Sequence, residues 1–324
     1  MTTAILLVNL GTPEAPTAPA LRKYLAEFLG DKRVVDLPRI IWWPILYGII
    51  LRTRPAESAA KYAKVWTPEG SPLKLHTERQ AKLVKGLLGH RGVQGVTVAW
   101  AMRYGQPSVA SVLDRLQQEG AERIVVVPLY PQFAGSTTAS TQDAVRAWWR
   151  QYPEGPDIIE VRDYHDDAGY IGALAQSVRD HWMSQGRAEK LLMSFHGIPK
   201  SQVDRGDPYA DQCRRTAELL AAELNLSPNE WLFTFQSRFG RAEWLQPYTQ
   251  PTLEQLARDG MRTVDVLCPG FASDCLETIE EIAMECREAF LENGGNEFRY
   301  IPCLNERPDW IAALTDIALR HMPS

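Results

Sequence analysis

The chain has 324 residues, of which 45% are hydrophobic and 23% are charged, and its formal net charge is −5. This length suits two domains of about 150 residues, and the composition is typical of a folded protein rather than a disordered one. The slightly acidic balance argues against a nucleic-acid-binding protein, which would carry a basic stripe or tail. The five cysteines are odd in number and lack C-x-x-C spacing, which argues against a disulfide framework or a zinc ribbon and favours a reducing cytoplasm.

A short apolar segment stands out near the N-terminus. Residues 40–51 are uncharged and mostly apolar, and Arg39 and Arg52 flank them. A membrane-spanning helix needs roughly 20 such residues, so this segment is too short to cross a bilayer. It predicts either a buried pair of helices or an exposed apolar lip, and the adjacent Trp42 and Trp43 suit a membrane interface. Because the N-terminus lacks a signal-peptide pattern, we expect a cytoplasmic protein with peripheral contact at the inner membrane surface.

Short β-branched runs alternate with longer amphipathic segments along the chain. In chain order, the runs predict strands at residues 5–10, 96–101, 123–129, 158–161, 191–196, 231–236, 263–268 and 297–301. The segments between them predict helices at residues 72–88, 107–118, 138–151, 170–184, 210–223, 251–258, 275–293 and 308–320. This alternation predicts an α/β fold with parallel sheets flanked by helices. Gly120 and Gly260 are each predicted to end a helix before the next strand.

The two halves of the chain repeat four short motifs in the same order. Leu10-Gly11-Thr12-Pro13 matches His196-Gly197-Ile198-Pro199, Arg103-Tyr104-Gly105 matches Arg238-Phe239-Gly240, Leu113, Leu116 and Gly120 match Leu253, Leu256 and Gly260, and Pro131-Gln132-Phe133-Ala134 matches Pro269-Gly270-Phe271-Ala272. We therefore predict two similar domains, at residues 1–155 and 156–324, with the apolar lip at about 39–54 of the first. Ligands of open α/β sheets bind beyond the carboxyl ends of the strands, so a cleft between the domains is the expected site.

His196 is the candidate catalytic residue, because it falls at the end of a predicted strand within the motif SFHGIP. An imidazole at that position can accept a proton near neutral pH or bind a divalent metal ion. The plainer alternative is a histidine whose ring nitrogens only bond to the backbone.

Three acidic residues follow near the start of the predicted helix 275–293. The spacing of Asp274, Glu277 and Glu281 predicts that they share one face of that helix. Asp274 and Glu277 also have the spacing of a capping box, which would be purely structural. The alternative is a loose cation site with His196, because Fe²⁺ binds oxygen and imidazole ligands. No dense HExxH-type ligand set is present, so a tightly held structural metal is not expected.

Seven motifs together resemble one family. They are LLVNLGTP, AMRYG, VPLYPQFAGSTTAS, SFHGIP, RGDPY, FQSRFG and CPGFASDCLETIEEI, and they run from Leu6 to Ile282. In this order they resemble the ferrochelatases, enzymes that insert ferrous iron into protoporphyrin IX at the last step of protohaem synthesis. The resemblance implies two Rossmann-like domains around a porphyrin cleft, with the last helix packing back on the body.

The resemblance also implies roles for individual residues. His196 and Glu277 match the facing active-site pair that handles the metal and deprotonates the pyrroles, and Asp274 and Glu281 extend the acidic line as metal ligands. The residues predicted to bind the substrate are Gly11, Trp42, Arg103, Tyr104, Phe133 and Phe271. A rigid cleft that bends the flat porphyrin would favour the transition state for metal insertion.

The expected ligands are the porphyrin and Fe²⁺, which is a substrate, and no permanently bound cofactor is expected. Some members of the family hold an iron–sulfur cluster with cysteines near the C-terminus. No cysteine follows Cys303 here, so we predict no cluster. Cys275 stands where some relatives have a second histidine, which puts any scheme needing two histidines in doubt. We expect a monomer.

Other functions remain open at this point. The nearest are a coproporphyrin ferrochelatase and a chelatase for cobalt or nickel. A porphyrin or haem carrier without catalysis is a function of a different class, and it would need apolar walls but no histidine with a carboxylate line. A two-lobed solute-binding protein is disfavoured by the missing export signal.

Overall fold

A computed structural model describes residues 2–238, 240 and 242–322 of the chain. Phe239, part of one repeated motif, lies outside these described residues. The chain forms two compact units. The first consists of the described residues within Met1–Tyr130, Ala134–Asp163 and Leu314–Ser324, and the second of those within Pro131–Phe133 and Tyr164–Ala313. The longest segment of the second unit therefore begins after Asp163, whereas the boundary predicted from the sequence follows residue 155.

The first unit contains a four-stranded parallel sheet of spatial order β2-β1-β3-β4. Its strands are β1 (Thr3–Gly11), β2 (Val96–Tyr104), β3 (Arg123–Pro128) and β4 (Asp157–Glu160). Its helices are α1 (Ala18–Gly30), α2 (Arg39–Ile45), α3 (Leu51–Val65), α4 (Pro72–His90), α5 (Val109–Gln118) and α6 (Ser140–Trp149). Wider π-helical turns at Leu46–Ile50 and Gly135–Ala139 precede α3 and α6. The unit extends through Asp163 because β4 pairs with β3.

The second unit repeats this arrangement with the spatial order β6-β5-β7-β8. Its strands are β5 (Lys190–His196), β6 (Trp231–Gln236), β7 (Thr263–Leu267) and β8 (Glu297–Tyr300). Its helices are α7 (Ala168–Gln185), α8 (Lys200–Asp204), α9 (Tyr209–Glu223), α10 (Thr249–Arg258), a π-helix over Glu277–Cys286, α11 (Arg287–Glu292) and the start of α12 (Pro308–Arg320). The prediction of parallel α/β sheets flanked by helices is confirmed.

The apolar runs form strands because both faces of each sheet are covered by helices. Strand β1 is buried at every position except Leu10, as expected for a parallel strand covered on both faces. In the first unit, Leu6 of β1 packs with Leu113 of α5 and Trp148 of α6 in one buried cluster. The second unit has a comparable cluster, in which Val266 of β7 packs with helical side chains such as Phe290.

The helix ends follow local sequence signals. Ser108 caps α5, because its hydroxyl oxygen accepts a hydrogen bond from the backbone N–H of Ser111 at 3.2 Å. Asp167 caps α7 in the same way through Tyr170. Gly120 and Gly260 adopt left-handed conformations, with φ of +81° and +97°, just after α5 and α10. Both glycines were predicted to end a helix, and both predictions are confirmed.

The apolar lip is helical, and only one side of it is buried. Trp42 is buried and its indole N–H donates to the carbonyl of Leu29 at 2.7 Å, whereas Trp43 is 47% exposed. Neighbouring positions of a helix point about 100° apart, so one face cannot hold both rings. The interfacial position therefore stays a prediction for the exposed Trp43 and is wrong for the buried Trp42. Among the described helices, none combines the length and apolarity needed to cross a bilayer.

The end of β1 requires glycine at residue 11, which generates a test of the fold. Gly11 has a φ of +121°, and an added Cβ would lie 1.8 Å from the carbonyl oxygen of Tyr104 on β2. Because neither backbone can yield without breaking the sheet, we expect Gly11→Ala to lower the free energy of unfolding by about 3 kcal/mol or more. Urea denaturation measures the change.

Gly86→Ala on the exposed side of α4 is the matched control, because an added Cβ there meets no atom within 4 Å. It should raise stability by about 0.5 to 1 kcal/mol. Equal effects of the two substitutions would contradict the proposed packing at Gly11.

Candidate active site

His196 lies at the carboxyl end of β5, and the local geometry determines its tautomer. Its Nδ1 is 2.6 Å from the carbonyl oxygen of Gly197. A carbonyl oxygen can only accept a hydrogen bond, so Nδ1 carries the proton of the neutral ring. The lone pair of Nε2 is therefore available to bind a proton or a metal ion. Strand β5 has neighbours on both sides, so His196 sits where the strand order reverses, the usual ligand position of such sheets.

Two aromatic rings flank the imidazole. Trp244 and Phe271 have ring centroids 6.3 Å and 6.4 Å from that of His196, with interplanar angles of 50° and 54°. Phe271 was predicted from its motif, whereas Trp244 was not. It lies in the loop after β6, and its isolated bridge with Pro199 brings it beside the histidine turn. No local sequence signal marks such a pairing.

Gln236 and Ser237, at the end of β6, bind the acidic π-helix. The amide Nε2 of Gln236 donates to the backbone oxygen of Glu277 at 2.8 Å. The backbone N–H of Ser237 donates to the carboxylate of Glu281 at 2.7 Å, and the Ser237 hydroxyl donates to it as well. Ser237 has a φ of +66°, so it turns both of its donors toward Glu281. His196 and Gln236 are register partners on β5 and β6, which fixes the acids relative to the histidine.

The π-helix keeps Glu277 and Glu281 on one side. Its hydrogen bonds join residues five apart, so positions four apart lie close in angle. Burial raises the pKa of Glu281, while the Ser237 hydroxyl and His196 partly oppose that increase. The raised pKa makes Glu281 a better proton acceptor near neutral pH than an exposed glutamate. Glu277 is half-buried at the start of the helix.

Asp274 is not on the helical face that its spacing predicted. It lies before the π-helix, and its carboxylate accepts hydrogen bonds from Tyr300 at 2.5 Å, Asn305 at 2.6 Å and Thr278 at 3.0 Å. Its backbone N–H donates to Asn305 rather than to the carboxylate of Glu277, so the capping box does not form. Asp274 thus joins this loop to β8 and to the segment that follows it. Its role as a metal ligand stays a prediction.

The predicted residues of the first unit form their own polar network around Asp31. The Asp31 carboxylate pairs with Arg103 at 2.7 Å and accepts hydrogen bonds from Tyr104 at 2.8 Å and Ser140 at 2.6 Å. The guanidinium of Arg103 also lies over the Tyr104 ring, 4.5 Å from its centroid. Burial alone would raise the pKa of Asp31, but these donors hold it below its usual value. No local sequence motif marks Asp31 as a member of this network.

Gly11, Trp42, Arg103 and Tyr104 thus belong to the first unit, and Phe133, His196, Phe271, Glu277 and Glu281 to the second. The backbone N–H of Phe133 donates to the Gln212 side chain at 2.6 Å, and its ring is half-buried. Substrate contacts of Gly11, Trp42, Arg103, Tyr104, Phe133 and Phe271 stay predictions. Among the described residues, no three histidine, cysteine, aspartate or glutamate side chains are grouped closely enough to hold a metal ion.

The fold is similar to that of solved chelatases. The structure of SirB from Bacillus subtilis with Fe³⁺ superposes with a TM-score of 0.57 at 14% identity, covering 99% of this chain and 96% of that one. CbiX, the terminal enzyme for siroheme biosynthesis in denitrifying bacteria, superposes with a TM-score of 0.53 at 15% identity, covering 98% and 99% of the two chains. At such identities the likeness establishes the fold alone.

Sequence comparison defines the family within this class. The family model Ferrochelatase matches residues 2–322. Ferrochelatases of Aromatoleum aromaticum and Methylibium petroleiphilum are 65% and 62% identical over 315 and 319 residues, which is 97% and 98% of this chain and 86% and 88% of theirs. The chain belongs to the ferrochelatase family. It is an enzyme of haem biosynthesis that inserts iron into a porphyrin, and the predicted family and activity are confirmed.

The raised pKa of Glu281 predicts a dependence of stability on pH. The carboxyl group of Glu281 binds a proton more tightly in the folded state than in the unfolded chain. Protonation of Glu281 therefore stabilises the fold fully below the ordinary pKa of 4.5, and this stabilisation is lost as the pH rises through the raised pKa of the folded state. Glu281→Gln should therefore raise the Tm by about 2 °C at about pH 7.5 and leave it unchanged near pH 4. Calorimetry at both pH values measures this.

Glu288→Gln, on the exposed side of α11, is the matched control and should leave the Tm unchanged at both pH values. A lower Tm of Glu281→Gln at about pH 7.5 would show that the charged carboxylate is stabilising on balance.

Proposed function

We propose that the chain inserts Fe²⁺ into protoporphyrin IX to give protohaem, with Nε2 of His196 as the general base. The observation that carries this proposal is the hydrogen bond of Nδ1 to Gly197 at 2.6 Å, which leaves Nε2 unprotonated in the neutral ring. A base held in one orientation by a backbone oxygen needs no reorganisation before it accepts a proton.

The reaction requires that two protons leave as the metal enters. The free porphyrin carries two pyrrole N–H groups, and Fe²⁺ replaces both protons to form four nitrogen–iron bonds. His196 accepts one proton at Nε2 and passes it to the carboxylates of the π-helix. Glu281 is suited to receive it, because burial raises the pKa of its carboxyl group. Glu277, four residues earlier, accepts the second proton; if it instead binds the incoming Fe²⁺, Nε2 of His196 accepts the second proton after it has passed the first to Glu281.

A bent macrocycle makes this exchange faster. A flat porphyrin holds its nitrogen lone pairs in the ring plane, whereas bending directs a pyrrole nitrogen outward toward a base or a metal. Phe271 and Trp244, whose ring centroids lie 6.4 Å and 6.3 Å from that of the imidazole, are suited to contact the macrocycle through its π-surface. Gly11, Trp42, Arg103, Tyr104 and Phe133 contribute the further contacts with the substrate that their motifs predict. A rigid site of this kind binds the distorted transition state more tightly than the flat substrate.

The protein contacts a membrane surface through the apolar lip, as a cytoplasmic monomer at the inner face of the membrane. Ile40 is 85% exposed, and Ile41, Trp43, Tyr47 and Ile49 are each about half-exposed. Exposed aliphatic side chains beside tryptophan, tyrosine and arginine are typical of an interfacial segment. Such a position suits an enzyme whose substrate and product are largely apolar.

Loss of the base should abolish most of the activity. His196→Ala should lower kcat by a factor of about 10² to 10⁴, because the proton acceptor is removed. Glu277→Gln should lower it by about tenfold or more, because the variant can neither carry charge nor accept a proton. The assay mixes protein, protoporphyrin and Fe²⁺ without oxygen and follows the replacement of the free porphyrin's visible bands by those of the metal complex.

His90→Ala, at the exposed end of α4, is the control and should keep full activity. Unchanged turnover in both His196→Ala and Glu277→Gln would refute the proposed roles. If the wild-type protein binds protoporphyrin without inserting Fe²⁺, coproporphyrin and then Co²⁺ and Ni²⁺ are the next substrates to test, because the same chemistry serves these alternatives.

The membrane contact is tested separately. Replacing Ile40, Ile41 and Trp43 by serine should reduce binding to lipid vesicles by about tenfold or more, because a buried aliphatic side chain contributes about 1.5 kcal/mol or more. Vesicle sedimentation measures the bound fraction. Trp149→Ser removes an exposed tryptophan elsewhere in the first unit and should leave binding unchanged. Equal binding of the triple variant and the wild type would contradict the contact.

A further inference from the structure

A basic groove adjoins the apolar lip within the first unit. It has a volume of about 550 Å³ and lies between α1 and the segment that leads into α3. Arg22 and Lys23 of α1 line one side, and Tyr47 and Arg52 line the other. All four side chains are exposed. The groove therefore presents three cations to solvent beside an exposed tyrosine.

A hydrogen bond to the backbone anchors one cation of the groove. The Nε of Arg22 donates to the carbonyl oxygen of Leu51 at 2.8 Å, which anchors this guanidinium to the residue before Arg52, and both arginines line the groove. Lys23 forms an exposed ion pair with Glu14 at 2.9 Å, which is a weak interaction in water. An arginine pair of this kind suits phosphate, because each planar guanidinium can donate two parallel hydrogen bonds to phosphate oxygens.

The segment that contains the apolar lip carries only positive charges. Residues 37–56 contain no aspartate or glutamate, and they include Arg39, Arg52 and Arg54. Arg39 lies over the ring of Trp43, 5.5 Å from its centroid, so cations occur on both sides of the exposed apolar side chains. This combination of exposed apolar and basic side chains complements a surface with an apolar interior and anionic headgroups.

We propose that this groove binds the phosphate headgroup of an anionic phospholipid while the apolar lip enters the acyl region of the same leaflet. The inference rests on the proposed membrane contact and adds a preference for lipid charge. Arg22 and Arg52 bind the phosphate, and Tyr47 packs against the glycerol region. The catalytic proposal is independent of it, because neither arginine belongs to the site around His196.

Vesicles of two compositions test the proposal with the full chain. Wild-type protein should bind vesicles of phosphatidylcholine with phosphatidylglycerol more tightly than vesicles of phosphatidylcholine alone. The double variant Arg22→Gln/Arg52→Gln should bind the anionic vesicles about thirtyfold more weakly, which corresponds to about 1 kcal/mol for each arginine near an anionic surface. Its binding to phosphatidylcholine alone should not change.

The control variant Lys85→Gln/Arg150→Gln removes the same charge from exposed positions elsewhere in the first unit. It should bind anionic vesicles nearly as well as the wild type. Equal losses in the two double variants would overturn the proposal, because net charge alone would then explain the binding. Unfolding temperatures and iron insertion into a water-soluble porphyrin should be the same in all variants, which identifies any variant that fails to fold.

Two further outcomes separate the possible failures. If the wild type binds neutral and anionic vesicles equally, the headgroup groove is refuted and the membrane contact stands. If it binds neither, the membrane contact itself has failed. Inorganic phosphate identifies the source of the ligand: it should not displace the protein from anionic vesicles beyond the effect of chloride at equal ionic strength. Displacement by phosphate alone would instead make free phosphate the ligand and overturn the lipid assignment.

Discussion

The side-chain amide of Gln236 connects the three elements that make up the candidate active site. Its oxygen accepts a hydrogen bond from Ser194 of β5 at 2.7 Å, and its nitrogen donates to the backbone of Glu277 at 2.8 Å. A buried amide satisfied at both ends is costly to disturb, because any shift leaves a donor or an acceptor without a partner. The start of the π-helix is therefore fixed to the strand that carries His196. The adjacent Ser237 extends the connection to Glu281, so Glu277, Glu281 and His196 are all attached to the paired strands β5 and β6.

The polar network of the first unit is centred on the carboxylate of Asp31, whereas that of the second unit is centred on the side-chain amide of Gln236. Asp31 follows α1 and joins it to Arg103 and Tyr104 at the end of β2 and to Ser140 at the start of α6. Both networks lie at the carboxyl ends of the first two strands of their sheets, where the strand order reverses. The repeated fold has therefore kept a polar connection at the same place in each copy with different chemistry. Among the described residues, the network around Gln236 also includes a histidine, His196, and the partly buried Glu281.

The strands and most helix ends could be predicted from the sequence, because the signals for them are local. A run such as that of β1 must be buried on both faces, and a glycine such as Gly120 ends a helix through its own backbone freedom. Four features could not be predicted in this way. The π-helix at Glu277 differs from an α-helix only in its hydrogen-bond register, which composition does not reveal. Asp274 lies before the π-helix, where its carboxylate accepts hydrogen bonds from Tyr300, Asn305 and Thr278.

The other two features are contacts between residues that are far apart in the sequence. Trp244 reaches His196 only through the loop that follows β6, and Asp31 meets Arg103 across the end of the sheet. Motifs predicted His196, Glu277 and Phe271 as site residues because those residues stand in recognisable local patterns. They could not identify partners whose only distinguishing property is their position in three dimensions.

The hydrogen bond between Gly197 and Nδ1 leaves the His196 ring with one electron pair for all further chemistry. One electron pair holds either a hydrogen ion or a metal ion, and never both. A proton and Fe²⁺ would thus compete for Nε2 of His196. If Nε2 binds a metal ion, it must release that ion before it accepts a proton, and if it holds a proton, it must lose the proton before it binds a metal ion. Proton binding and metal binding at Nε2 therefore cannot occur at the same time and must follow one another.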